Sequence, residues 1–312
     1  MKEYIGKVCL DLVDYIGKEQ YSDGPIEDEL LEIVKNIPEE DYVKVINEKK
    51  NWPVLYHLSK QRWNIIGGIP VNKTDKVLEI GAGCGAVTGI LSEKAEKVTC
   101  IELSKKRSLI NAYRNQKRDN IEIKVGNFET VHQRLTEKYD VITLIGVFEY
   151  AQSYISSPEP FVDFLKMIEP HLSENGRVAI AIENKYGLKY WAGCKEDHLG
   201  TFFSGLEGYS PNDRVRTFGK GKLEQLIKSA GFENIKMYYP YPDYKLPTHI
   251  YSDDYLPKKG ELVNNMRNYD NDRMYLFNEK LVFDNLIEEN MFPFFSNSYL
   301  AIAERKEKRN HG

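Results

Sequence analysis

The chain has no apolar run approaching the ~20 residues a membrane-crossing helix needs. Its start, MKEYIGKVCLDLVDYIGKE, is too charged for a secretory signal. Both absences lead us to expect a soluble, cytoplasmic protein with no membrane span. Cysteine is scarce: Cys9, Cys84, Cys100 and Cys194 are scattered, with no Cys-x-x-Cys pair. A zinc site or a disulfide framework is therefore not expected, and no metal centre is assigned. Charge of one sign is also missing, since 43 Lys and Arg face 47 Asp and Glu for a net charge of −4. The signs are interspersed, which removes the electrostatic case for a nucleic-acid backbone or an anionic membrane as partner. No internal repeat or low-complexity tract occurs.

At 312 residues the chain can bury a large core and is long for one minimal domain. Residues 1–50 read as helical and amphipathic, with Ile5, Val8, Leu12 and Ile16 on one face. NWPVLYHLSKQRWNII then begins a helix, with Pro53 in its first turn. From Lys76 strands and helices alternate. KVLEI, KVTCIEL, IEIKVG, YDVITLIG and RVAIAIEN read as strands, separated by helical stretches such as KKRSLINAYRNQ and FVDFLKMIEPHL. The strands are apolar without period-2 alternation, as in a parallel sheet covered on both faces. After Asn184 a Gly- and aromatic-rich segment to residue 217 breaks the rhythm, followed by the helix KLEQLIKSAG and the strand FENIKMYYP. A last strand, NSYLAIAERK, comes about 55 residues later, too far for a bare loop, so the interval reads as an insertion with short helices. The expected architecture is α/β and doubly wound, with a seven-stranded, mostly parallel sheet whose last strand returns antiparallel. Its parts are a helical arm over residues 1–70, a sheet domain over 71–240 and 296–306, and an insertion over 241–295 that belongs to the substrate cap.

The stretch LEIGAGCGAVTG carries four glycines in twelve residues directly after the first strand. Such a turn lets backbone N–H groups approach a ligand closely. Read as Gly81-x-Gly83-x-x-Ala86, it is a dinucleotide fingerprint. Read as Glu79-x-Gly81-x-Gly83-x-Gly85, it is a loop for S-adenosylmethionine. Glu102 stands at the end of the next strand, 21 residues after Gly81, where a carboxylate accepts bonds from two ribose hydroxyls of either cofactor. Three features favour the methyl donor. Glu79 puts an acid where a dinucleotide strand is normally apolar, Asn127 and Phe128 stand at the tip of the third strand, and the sheet ends strand–insertion–strand.

Together these residues resemble the class I S-adenosylmethionine-dependent methyltransferases, over roughly residues 52–240 plus the last strand. The resemblance implies that Glu79, Gly81, Ala82, Gly83 and Gly85 form the methionine-side loop. It also implies that Glu102 and Leu103 hold the ribose, and Asn127 and Phe128 the adenine. Gly146 and Val147 then lie near the cofactor, which Tyr56 and His57 cover from the N-terminal helix, unless that helix merely packs on the sheet.

An acceptor hydroxyl must be aligned with the donor and must lose a proton. After the fourth strand this chain has Phe148-Glu149-Tyr150, where many small-molecule methyltransferases have Leu-Glu-His. Glu149 is either a catalytic acid or a cap on the next helix. After the fifth strand, Glu196-Asp197-His198 is the best acid–base cluster, with His198 the candidate base or a loop histidine bonded within its own lid. WPVLYHLS, CGAVTG, IENKYGLKYWAG, EDH, EGY, VRTFGK and YYPYPDYKLP are similar to bacterial methyltransferases found with glycosyltransferases in surface-polysaccharide clusters. That resemblance implies a glycan or sugar-containing acceptor. The expectation is methyl transfer to a hydroxyl of a small molecule or glycan, with an oligomer allowed. The alternatives are a protein or RNA methyltransferase, or a non-catalytic scaffold. RNA is disfavoured because no Asn-Pro-Pro-Tyr or Asp-Pro-Pro-Tyr occurs.

Overall fold

The computed structural model describes residues 1–265 and 272–305. Among them runs one sheet of ten strands: β1 (Lys2–Ile5), β2 (Val8–Asp11), β3 (Lys76–Ile80), β4 (Lys97–Glu102), β5 (Ile121–Val125), β6 (Tyr139–Ile145), β7 (Leu172–Glu183), β8 (Phe232–Tyr241), β9 (His249–Ser252) and β10 (Ser298–Arg305). Their order is β1-β2-β5-β4-β3-β6-β7-β10-β8-β9. The inner seven, β5 to β8, are the expected doubly wound core. Within it β3 to β7 run parallel, and β10 inserts antiparallel between β7 and β8.

The expected count of seven is corrected by three added strands, β1 and β2 at one edge and β9 at the other. Residues 2–11 are a hairpin rather than the start of a helix. Ile5 and Val8 face each other across it. Its Gly6-Lys7 turn places Gly6 at φ +56°, where a Cβ would meet the Gln116 carbonyl oxygen at 2.3 Å. Val8 and Leu10 are buried two apart, a strand period that a short stretch does not separate from a helical one. Helices do form later in the arm, at Ile26–Asn36, Tyr42–Lys49 and Trp52–Leu58. The insertion holds helices at Glu279–Glu288 and Phe292–Phe295 as well as β9. Its residues 266–271, and residue 306 of the last expected segment, lie outside the described residues.

The strand residues explain the layering. Leu78 and Ile80 of β3 join one buried cluster with Ile142, Leu144, Ile180 and Ile182. Val77 joins another with Val98, Cys100, Val141 and Ala179. Alternate side chains therefore reach opposite, covered faces. On the first face the helix Pro160–Ile168 starts with proline and buries Phe161, Phe164, Leu165 and Ile168, an i, i+3, i+4, i+7 stripe. The order of strands reverses between β3 and β6, which opens a crevice at their carboxyl ends, where open α/β sheets take ligands.

Candidate active site

A cavity of about 480 Å³ occupies that crevice, within the usual range for small-molecule and cofactor sites. Crossing its wall in strand order, Glu102 ends β4, Gly81 follows β3, Gly146, Val147 and Glu149 follow β6, and Asp197 with His198 lies on the connection after β7.

Glu102 is buried, and both its oxygens are held: Oε2 accepts from Gly83 N at 2.7 Å and Oε1 from Ser104 N at 2.9 Å. Each oxygen keeps a lone pair for another donor. Burial raises the pKa of this carboxyl, and the Arg107 guanidinium opposes the rise. Gly81 sits at φ +71°, and a Cβ there would meet Val147 Cγ2 at 2.4 Å, so the turn after β3 closes onto the loop after β6 only because the side chain is absent.

The sequence-predicted Tyr56, Gly81, Glu102, Leu103, Asn127, Phe128, Gly146, Val147, Glu149 and His198 all line this one cavity. Glu79, Ala82, Gly83 and Gly85 are not on its wall. Gly83 reaches the site through its N–H on Glu102, and Gly85 packs against Asn111. Glu79 points into the protein: its Oε2 accepts from Thr88 Oγ1 at 2.6 Å and lies 3.4 Å from Cys100 Sγ. Burial lifts its pKa to about 7 against the Thr88 hydrogen bond. Asn127 caps the helix Phe128–Val131, its Oδ1 accepting from Glu129 N at 3.1 Å while its amide donates to the Tyr154 carbonyl at 3.3 Å. The Phe128 ring packs on Phe164 and His132.

Beyond β6 the wall becomes ionisable. Glu149 is fully buried, and neither of its oxygens has a hydrogen-bond partner among the described residues. The helix-cap reading of Glu149 is thereby overturned, since the turn it sits in has no side-chain cap. His198 is bonded outside its own lid: Nδ1 is 2.9 Å from Tyr150 Oη, and Nε2 is 3.3 Å from Glu183 Oε2. Glu183 Oε1 also accepts from Tyr244 Oη at 3.3 Å and pairs with Lys245 Nζ at 2.9 Å. Lys245 pairs in turn with Asp197, which Lys189 meets at 2.8 Å.

These contacts set the protonation states. Burial alone would depress His198, but the Glu183 carboxylate outweighs it and lifts its pKa to about 9. Burial opposes the charge on Glu183, yet Lys245 and His198 hold its carboxyl well below the usual range. Glu149 makes no direct ion pair, and burial, helped by the Glu183 charge, pushes its pKa up to about 8 against the opposing charges of His198 and Lys245. At neutral pH the cluster therefore combines a histidinium–carboxylate pair with a protonated Glu149. The donor atoms of Glu149, Glu183 and His198 lie within 4.8 Å of one another, and the Lys245 ammonium stands 2.9 Å from Glu183 Oε1.

Several functional candidates escaped the sequence reading. Tyr150, Tyr244 and Lys245 line the cavity from stretches quoted above without a role for them, and Glu183, at the end of β7, was not paired with His198 in advance. Tyr21, Asp23 and Arg107 line the end of the cavity beside Glu102. Arg107 donates to Glu27 at 2.7 Å and to Asp23, with its guanidinium 4.3 Å from the Tyr21 ring. Only a carboxylate–arginine pairing 80 residues apart in sequence would have flagged them.

A parallel sheet that reverses its order, with a glycine turn and a buried carboxylate at its carboxyl edge, is the Rossmann-like methyltransferase fold. The chain belongs to the methyltransferase domain family, whose profile matches residues 5–237. No curated protein sequence matches it. Among solved structures, phosphoethanolamine N-methyltransferase 1 of Haemonchus contortus, with phosphoethanolamine and S-adenosylhomocysteine, is similar with TM-score 0.50 at 12% identity, covering 91% of this chain and 51% of that one. This chain thus spans about half the length of that enzyme. An S-adenosylmethionine-dependent methyltransferase of Archaeoglobus fulgidus gives TM-score 0.49 at 16% identity, covering 85% of this chain and 100% of that one. A possible histamine N-methyltransferase of Thermotoga maritima gives 0.46 at 14%, covering 86% and 98%. Likeness at such identities concerns the fold alone. The cofactor is S-adenosylmethionine, and the dinucleotide reading of the glycine turn falls away. The residues present suit it: Glu102 keeps lone pairs for two ribose hydroxyls, and the Gly81 turn leaves backbone room that any side chain would fill.

Proposed function

We propose that the protein transfers a methyl group from S-adenosylmethionine to a hydroxyl oxygen of a small-molecule or sugar-containing acceptor held over β6 and β7. The single observation that carries this is Glu149: a buried carboxyl on the cavity wall with both oxygens open, next to a histidine whose two nitrogens are already engaged. When bound, the cofactor supplies an electrophilic methyl on a positively charged sulfur. The chain supplies the rest. Glu102 and the Gly81 turn hold the nucleoside end over β4 and β3. Glu149, having given up the proton it carries in the free protein, would take the hydroxyl proton while the oxygen's electron pair forms the new O–CH3 bond and the S–CH3 electron pair returns to sulfur. With the His198 ring protonated, both nitrogens donate, to Glu183 and to Tyr150 Oη, which leaves the Tyr150 hydroxyl hydrogen free to orient the acceptor oxygen. Tyr56, Trp52 and Tyr244 add aromatic walls suited to a sugar ring.

The test begins with methyl-labelled S-adenosylmethionine and a lysate of the source organism, split into protein, nucleic-acid, saccharide and small-molecule fractions. Label in the last two supports the reading, and label in protein or RNA replaces its substrate class. With an acceptor in hand, Glu149→Gln is expected to lower turnover by about 10²–10⁴. Near-normal turnover would remove Glu149 from the proton transfer.

A further inference from the structure

The charges beside Glu149 on the cavity wall are paired with one another. Glu183 at the end of β7 meets His198 and Lys245, and Asp197 on the following connection meets Lys189 and Lys245. Tyr56 from the N-terminal helices, with Tyr150 and Tyr244, brings phenols to the same wall but no charge. Glu149 stands on this wall as a carboxyl whose oxygens make no side-chain hydrogen bond or ion pair among the described residues, with the His198 ring within 4.8 Å and the Lys245 ammonium acting on its charge from further off. Strand order locates what it faces. With the ribose held by Glu102 at the end of β4 and the acceptor toward β7, the reacting sulfur would lie between them, over β3 and β6, and Glu149 follows β6.

That sulfur is a cation before transfer and a neutral thioether afterwards. From this geometry we propose that Glu149 is the residue that tells donor from product: it is neutral in the free protein, gives up its proton when the sulfonium binds, and recovers one from the acceptor hydroxyl as the methyl leaves. The balance closes. The acceptor loses a proton and gains a methyl, the sulfonium loses its charge with the methyl, and the proton ends on Glu149 beside an uncharged thioether. The product complex then has no carboxylate–sulfonium attraction to hold it, which favours release of S-adenosylhomocysteine over S-adenosylmethionine. The inference rests on the placement of the acceptor given under the proposed function, but it requires no acceptor to be tested.

The size of the effect follows from linkage. A cation brought within a few ångströms lowers a carboxyl's pKa by about 1–3 pH units. Starting from about 8, a fall of about two would release about 0.8 proton at pH 7 and strengthen donor binding about tenfold over that of a carboxyl held neutral. The α-amino and carboxyl groups are common to donor and product, so their proton changes cancel in the comparison.

The experiment is isothermal titration calorimetry of the full chain at pH 7 with S-adenosylmethionine and with S-adenosylhomocysteine, each in two buffers of different ionisation enthalpy. The expected result is about 0.8 proton more released with S-adenosylmethionine than with S-adenosylhomocysteine. Glu149→Gln should abolish the difference, weaken S-adenosylmethionine about tenfold and leave S-adenosylhomocysteine unchanged. Equal proton counts for the two ligands on the native chain would overturn the proposal without any variant. A difference that persists in folded Glu149→Gln would do so as well. Methyl transfer with equal proton counts would leave the proposed function standing and this inference refuted.

Discussion

Replacing Glu183 by glutamine keeps the shape of the side chain and removes the charge that His198 and Lys245 face. In the native chain Glu183 Oε2 stands 3.3 Å from His198 Nε2, and the pair lifts His198 from its ordinary 6.5 to about 9 against the burial that would lower it. His198 side-chain exposure is only 9%, so solvent screens the pair little. A group whose pKa rises on folding adds stability that is fully present below its unfolded value and lost as pH climbs through the folded one. For His198 that window runs from about 6.5 to 9 and the contribution is about 3 kcal/mol. Glu149 shifts the balance the same way, because above its pKa of about 8 it becomes a second carboxylate beside Glu183. The stability advantage of the native chain over Glu183→Gln should therefore shrink by about 3 kcal/mol between pH 6 and 9.5. Urea unfolding of both proteins at several pH values in this interval measures it. An advantage that stays constant across the window would show that no histidinium–carboxylate pair exists, and with it would go the protonation states assigned to the site.

Gly81→Ala should weaken S-adenosylhomocysteine at least tenfold by calorimetry, because a Cβ at 2.4 Å from Val147 Cγ2 and a φ of +71° each disfavour alanine, the latter by about 1–2 kcal/mol. Shortening the neighbour in Gly81→Ala/Val147→Ala should restore part of that loss, and no restoration would point to backbone strain alone. Glu102→Ala should lose about 1.5–3 kcal/mol of S-adenosylhomocysteine affinity through the missing charged hydrogen bonds, and unchanged affinity would refute the ribose assignment.

The inner sheet was legible because its signals are local. Val77, Leu78 and Ile80 make an apolar run that only a strand covered on both faces explains, and Gly81 to Gly85 mark the turn that must follow. The edges were not legible, because β1, β2 and β9 are four residues each. Over so short a span Val8 and Leu12 satisfy a helical period as well as a strand period. What decides for the hairpin is parallel pairing of β2 with β5, where Leu10 lies against Ile123 more than a hundred residues away.

The two halves of the site divide along the same line. Gly81, Glu102, Asn127 and Val147 each stand at the carboxyl end of a strand or in the turn after it, so finding the strand finds the residue. Roles are another matter: Glu79 occupies such a position, yet its pleat turns the carboxyl to Thr88 and away from the cavity, a direction that one-residue alternation sets and a motif does not record. In the acceptor half His198 was chosen for its intrinsic pKa, but its state is fixed by Glu183 from the end of β7 and Tyr150 from the turn after β6. Once both ring nitrogens are engaged there, the open carboxyl on the wall is Glu149. Its chemistry follows from the partners it lacks, a property of the assembled cavity that no pair of residues in the sequence displays.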